Sequence, residues 1–297
     1  MKRNKKFMIC EAPVSVGSPT RGSEDAYRHL KCSGLPELMG DAAEFLDYTG
    51  ERTVPEVLCD DRLRHLETVM AVNLENRKRV LAALEDGNIP VVLGGDHSLV
   101  MSSVASLAET VGAERVAVIY VDSHADINTE ESTVTGMIHG MPLAAAMGLC
   151  TDALDVGKNK VNLLGKNTYI IGAHSIDEGE FPIIAEQGVH LYTADDVRRR
   201  GADDVVDEVL SATRGMKIHL SFDVDSINGD DFPATGYALK DSLRYDTVRR
   251  ILGRIWNGAD DVTSIDVVEY NPHIDSDGKC LKKMLDIFSI FKQSKNG

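Results

Sequence analysis

Asp122, His124 and Asp126 stand at alternate positions directly after the apolar run 117–121, Ala-Val-Ile-Tyr-Val. An extended backbone sends i, i+2 and i+4 to one side, so the three side chains point the same way if that conformation persists. Two hard carboxylates and an imidazole converging on one point suit a divalent cation such as manganese. Other residues of the same kinds follow other apolar runs. His97 comes after 90–93 and a Gly94-Gly95 turn, Asp223 and Asp225 lie at the end of 217–224, and Glu269 follows 262–268. Taken singly, each has an ordinary explanation: a loop histidine for His97, a solvated strand end or helix cap for Asp223 and Asp225. Together they do not, because so many buried carboxylates stay ionised side by side only with cations between them. His97, Asp122, His124, Asp126, Asp223 and Asp225 supply four carboxylates and two imidazoles. That is too many for one open catalytic zinc and enough for two hard cations sharing bridging carboxylates. The reaction class is metal-assisted hydrolysis.

The elements that must position these residues are short buried strands. A β-branched apolar run of four to eight residues reads as a strand covered on both faces, as in a parallel sheet. Such runs occur at 7–10, 90–93, 117–121, 169–172, 189–192, 217–224 and 262–268. Helices are expected at 61–85, 99–110, 195–212, 243–256 and 282–291, with an Ala-rich helical run up to Met147. Residues 34–53, broken by Pro36, Gly40 and Gly50, give no clear pattern. Strands alternating with helices predict an α/β fold with a mainly parallel sheet and helices on both faces. Ligands for such sheets bind outside the carboxyl ends of the strands, where the acids and histidines collect. No repeat, low-complexity linker or composition break divides the chain, so 1–297 is expected to be a single catalytic domain.

A net charge of −15, with 47 acidic residues and no offsetting basic patch, argues against a nucleic-acid partner and is compatible with cationic substrates. The five cysteines, Cys10, Cys32, Cys59, Cys150 and Cys280, are scattered, odd in number and never in a Cys-x-x-Cys pair. They read as free thiols in a reducing compartment. The apolar run in the N-terminal MKRNKKFMICEAP is too short for a signal peptide, and no stretch is long enough to span a bilayer. A cytoplasmic protein with no membrane partner is expected.

Five motifs, in this order and spacing, resemble those of the arginases within the agmatinase/ureohydrolase superfamily: Gly94-Gly-Asp-His-Ser98, Asp122-Ser-His-Ala-Asp-Ile-Asn128, His139-Gly, Ser221-Phe-Asp-Val-Asp225 and Asp266-Val-Val-Glu-Tyr-Asn-Pro272. The resemblance covers nearly the whole chain. It implies a three-layer αβα fold on an eight-stranded sheet, with two Mn²⁺ per subunit. One ion would take His97, Asp122, Asp126 and Asp223, and the other Asp122, His124, Asp223 and Asp225. A metal-bridging hydroxide would attack the guanidinium carbon of L-arginine, giving urea and L-ornithine. Asp126 would assist proton transfer, His139 would shuttle protons, and Glu269 would pair with the guanidinium. A histidine suits the shuttle because its reference pKa is near neutrality. The resemblance also implies a homo-oligomer, a trimer or hexamer.

Arginine differs from agmatine by one α-carboxylate, so the discriminating groups belong at the pocket mouth. The positions that arginases use there are occupied by Asn128, Thr133 and Thr135, and by Asp177 and Glu180 of an Asp-x-x-Glu. Thr235 belongs to the retained Thr-Gly of a later loop and is a further substrate-binding candidate. Met137 departs from the family's usual Asn. The loop after Asp225 reads Ser-Ile-Asn-Gly-Asp-Asp rather than containing Asp-Pro, and Asp241-Ser242 replaces Gly-Gly. The ligands are intact. Two alternatives are another guanidino-compound ureohydrolase such as an agmatinase, and a catalytically silent metal-binding protein on the same fold.

Overall fold

The computed structural model describes residues 5–55, 60–157 and 162–292. Eight strands form one sheet: β1 (Phe7–Glu11), β2 (Ala43–Leu46), β3 (Ile89–Leu93), β4 (Val116–Val121), β5 (Thr168–Ala173), β6 (His190–Thr193), β7 (Lys217–Asp223) and β8 (Val262–Val268). Their order is β2-β1-β3-β8-β7-β4-β5-β6 and every pairing is parallel. The first three strands build one side, β4 to β6 the other, and the last two fill the middle. Reading across the centre, Leu93 pairs with Val267, Val267 with Phe222, and Phe222 with Val121. The carboxyl ends of β3, β8, β7 and β4 are therefore level. These are the four strands after which the sequence places its ligand-type residues.

The helices are α1 (Ala26–Cys32), α2 (Leu35–Met39), α3 (Leu66–Glu85), α4 (Val100–Val111), α5 (Pro142–Ala146), α6 (Glu180–Gln187), α7 (Ala194–Arg200), α8 (Ala202–Ala212), α9 (Tyr245–Gly258) and α10 (Lys279–Lys292). They cover both faces of the sheet, making three layers. Alternation along β4 shows the division: Ala117, Ile119 and Val121 join the core shared with α8, α9 and α10, whereas Val116, Val118 and Tyr120 join the one shared with α3 and α4. All six residues are buried, as expected of a strand covered on both sides. Among the described residues no helix is long and apolar enough to cross a membrane. Cys10, Cys32, Cys150 and Cys280 are free, while Cys59 lies outside the described residues.

Besides α1 and α6, which were not anticipated, three elements differ from the sequence expectation. The helix anticipated over 61–85 begins at Leu66, because His65 takes a left-handed conformation at its N-terminus. The single helix over 195–212 is two helices, with Gly201 at φ +91° between them. Basic residues 198–200 close the first and Asp203 and Asp204 open the second, each charge matching its helix dipole. The unread segment 34–53 holds α2 and the edge strand β2.

Candidate metal centre

The turn after β3 has to be glycine. Gly94 and Gly95 adopt φ values of +93° and +79°, and a Cβ on Gly95 would lie 2.6 Å from the carbonyl oxygens of Ala12 and Val14. The turn delivers Asp96 and His97 to the carboxyl edge of the sheet. Asp96 accepts from Ser98 N and Gly17 N and so caps the short turn that carries His97. Asp223 ends β7 and accepts from Asp225 N at 2.8 Å, aiming both carboxylates inward. Asp122 accepts from His124 N at 2.7 Å in the same way. Asp126 and Glu269 have φ values of +49° and +65°. Only one further non-glycine residue, His65, shares that region among the described residues, and such backbone strain concentrates at functional sites.

All six expected ligands come together. His97 Nδ1 lies 2.8 Å from Asp122 Oδ2, 3.1 Å from Asp223 Oδ2 and 3.3 Å from Asp126 Oδ2. His124 Nδ1 lies 3.1 Å from Asp225 Oδ2 and 3.4 Å from Asp122 Oδ1. Two metal-capable groups result, His97/Asp122/Asp223 and Asp122/His124/Asp225, with Asp122 shared. Asp126 flanks the first. The other ring nitrogen of His97, Nε2, shares a 2.8 Å hydrogen bond with Ser221 Oγ on β7, which orients the ring.

The electrostatics are those of a cation site. Burial, together with the charges of Asp225 and Asp122, pushes the Asp223 carboxyl well above its usual range. Burial and Asp122 push Asp225 up to about 7 against the opposing pull of His124. Burial disfavours a charged His97 or His124, yet the facing carboxylates outweigh it and raise both imidazoles. Close approach has not produced hydrogen bonding: His97 Nδ1 and Asp122 Oδ2 are buried and neither has a hydrogen-bond partner. They lie 2.8 Å apart, outside hydrogen-bond geometry. A donor set of carboxylate oxygens and imidazole nitrogens left unpaired in this way fits hard divalent cations.

Beside the metal groups, His139 Nδ1 stands 3.5 Å from Glu269 Oε1, whose carboxylate also accepts from His97 N at 3.1 Å. Burial lowers the His139 pKa, but Glu269, with Asp126 and Asp96, more than offsets that and holds it above the ordinary value. Asn128 Nδ2 donates to Asp177 Oδ2 at 2.9 Å, so those two candidates meet. Glu180 is buried, and its two oxygens accept from Ile127 N and Asp177 N, so it ties the turns that carry Asn128 and Asp177. Thr133 and Thr135 accept from Gly136 N and Met137 N within the half-exposed loop between them. Thr235 Oγ1 is buried without a partner.

The chain is similar to arginases over nearly its whole length. The arginase family profile matches residues 8–287. The chain belongs to the arginase family. It is 31% identical to the arginase of Bacillus subtilis (strain 168) over 296 residues, covering 96% of each chain. The native arginase structure from Bacillus caldovelox superposes with a TM-score of 0.90 at 30% identity, over 99% of this chain and 100% of that one. The Entamoeba histolytica arginase in complex with L-ornithine superposes with a TM-score of 0.88 at 28% identity, over 98% of both. Family membership makes this protein a ureohydrolase.

Sequence reasoning missed three participants. Tyr237 places its ring 5.6 Å from both His124 and His139, stacked on the latter. Tyr120 hydrogen-bonds Asp126 from inside β4. Ser242, in the departed Asp241-Ser242 pair, reaches Ser123 Oγ at 2.5 Å, and Ser123 donates to Asp225 O. The altered loop is thus stitched to the metal-bearing turns. Of these, Tyr120 left a usable signal: it stands at i−2 from Asp122, on the same side of the strand, with a hydroxyl that burial obliges to find a partner.

Proposed function

We propose that the protein hydrolyses L-arginine to urea and L-ornithine, with two Mn²⁺ held by His97, Asp122, Asp126 and Asp223 on one side and Asp122, His124, Asp223 and Asp225 on the other. The observation that carries this reading is the pair of buried, unpartnered donors, His97 Nδ1 and Asp122 Oδ2, at the junction of the two groups. When bound there, two divalent cations would make hydroxide available near neutral pH and so supply the nucleophile. The remaining work belongs to the chain. Glu269 pairs with the guanidinium, a planar fork matched to a carboxylate, while the hydrogen bond its Oε1 accepts from His97 N fixes its distance from the ligands. Hydrolysis delivers oxygen to the guanidinium carbon and a proton to the departing nitrogen, which becomes the side-chain amine of ornithine. Asp126 takes the proton released by water and passes it on to the departing nitrogen, and His139, whose proton Glu269 helps to hold, exchanges protons beside it.

Arginine rather than agmatine is favoured by the Asn128–Asp177 contact, which supplies an amide donor for an α-carboxylate and an acid for an α-ammonium. Thr133 and Thr135 add hydroxyls, Thr235 an unused buried one, and Glu180 keeps Asp177 in place. Asp177→Ala should lower kcat/KM for arginine roughly tenfold to 100-fold, the worth of a hydrogen bond to a charged group. Unaltered arginine kinetics in Asp177→Ala would remove the argument for this substrate. The protein is further proposed to act in the cytoplasm as one catalytic domain and as a homo-oligomer, a trimer or hexamer that light scattering would identify.

A further inference from the structure

Tyr120 is fully buried in β4 on the face shared with α3 and α4. It is a tyrosine in a strand whose other members, Val116, Ala117, Val118, Ile119 and Val121, are aliphatic. Its ring stacks on the imidazole of His97, with centroids 4.2 Å apart and planes 7° from parallel. Its hydroxyl donates to Asp126 Oδ2 at 2.8 Å. That oxygen is the one 3.3 Å from His97 Nδ1. Among the described residues no other hydrogen bond reaches the Asp126 carboxylate, whose backbone is already held in a left-handed conformation. One side chain thus fixes two ligands of the first group by two different contacts. It makes no hydrogen bond to His124 or Asp225 of the second group, which are set by their own backbone and imidazole contacts.

We propose that Tyr120 is the positioning residue of the first metal group: its hydroxyl orients Asp126 and its ring orients His97, so it sets the affinity of one of the two ions and not the other. The inference rests on the two-ion reading above. A partner behind a metal ligand holds the ligand in its coordinating orientation beforehand, and its removal costs roughly 10–100-fold in metal affinity. Phenylalanine preserves the stack on His97 and deletes only the donor to Asp126, which makes the substitution selective.

The test is to strip the protein of metal and titrate it with Mn²⁺, reading bound and free ion by electron paramagnetic resonance alongside calorimetry. Wild-type protein should take up two ions. Tyr120→Phe should weaken one step roughly 10–100-fold and leave the other within about threefold. In an Asp126→Ala background, Tyr120→Phe should add nothing further to the weakened step, because the two changes remove one interaction. Two unchanged steps, with or without lower thermal stability of the metal-free protein, would assign Tyr120 to the core alone and overturn the inference. Equal weakening of both steps, or additive effects in the double variant, would overturn it as well. Uptake of fewer than two ions by the wild type would instead overturn the two-ion reading on which it stands.

Discussion

Glu269 is the residue on which the two halves of the site meet, since one carboxylate faces both the His97 backbone and the His139 ring. Its charge is a cause of the raised His139 pKa, so removing that charge must lower it. In metal-free Glu269→Gln the His139 ring should titrate at lower pH than in wild type, read by nuclear magnetic resonance of the imidazole protons. An unmoved titration would show that the two side chains are not coupled. The same variant should lose roughly 100-fold in kcat/KM, since the fork-to-carboxylate pairing goes with the charge. At this scale the sequence was most legible where ligand types recur. Asp122, His124 and Asp126 announce themselves by spacing, and His97, Asp223, Asp225 and Glu269 by following apolar runs. Tyr237 gave no comparable signal, because a lone aromatic in a loop carries no periodicity, and only the folded loop brings it against His124 and His139.

Strands and turns carry the ligands, and each turn is over-determined. Gly95 has both a positive φ and two carbonyl oxygens where a Cβ would stand. Gly95→Ala should therefore cost at least about 1–3 kcal/mol from backbone strain, before the clash is counted, measured by denaturant unfolding. Stability equal to wild type would mean the turn is looser than its contacts indicate. The buried strands were read to within a residue or two because alternation is irrelevant when both faces are covered and apolar runs stand out. Edge strand β2 was not read, since its four residues, Ala43–Leu46, are partly exposed and carry no run. The α7–α8 break was hidden for another reason: hydrophobic spacing continues across Gly201, and only the left-handed backbone there separates the helices.

On the scale of the whole molecule, a sheet whose four central strands end level makes one acidic cluster out of residues spread from 97 to 269. That arrangement ties folding stability to metal and to pH. Without metal, Asp225 titrates near 7 and Asp223 higher than usual, whereas an unfolded aspartate titrates at about 3.9. A raised folded pKa contributes stability that is complete below the unfolded value and lost as pH rises through the folded one. The raised imidazoles of His97 and His124 act in the same direction. Asp122, held low by His124 and His97 despite burial, acts oppositely, but only in strong acid. Metal-free protein should thus melt at progressively lower temperature as pH rises from about 5 to 8, and Mn²⁺ should reverse that loss. A melting temperature indifferent to pH and to Mn²⁺ would contradict the site's electrostatics. The most direct test of the central claim is urea release from L-arginine and from agmatine, side by side, with Mn²⁺ and with a chelator. Metal-dependent turnover of arginine, with little or none of agmatine, is the predicted result. Turnover of agmatine in preference, or urea release that survives complete removal of metal, would contradict the account.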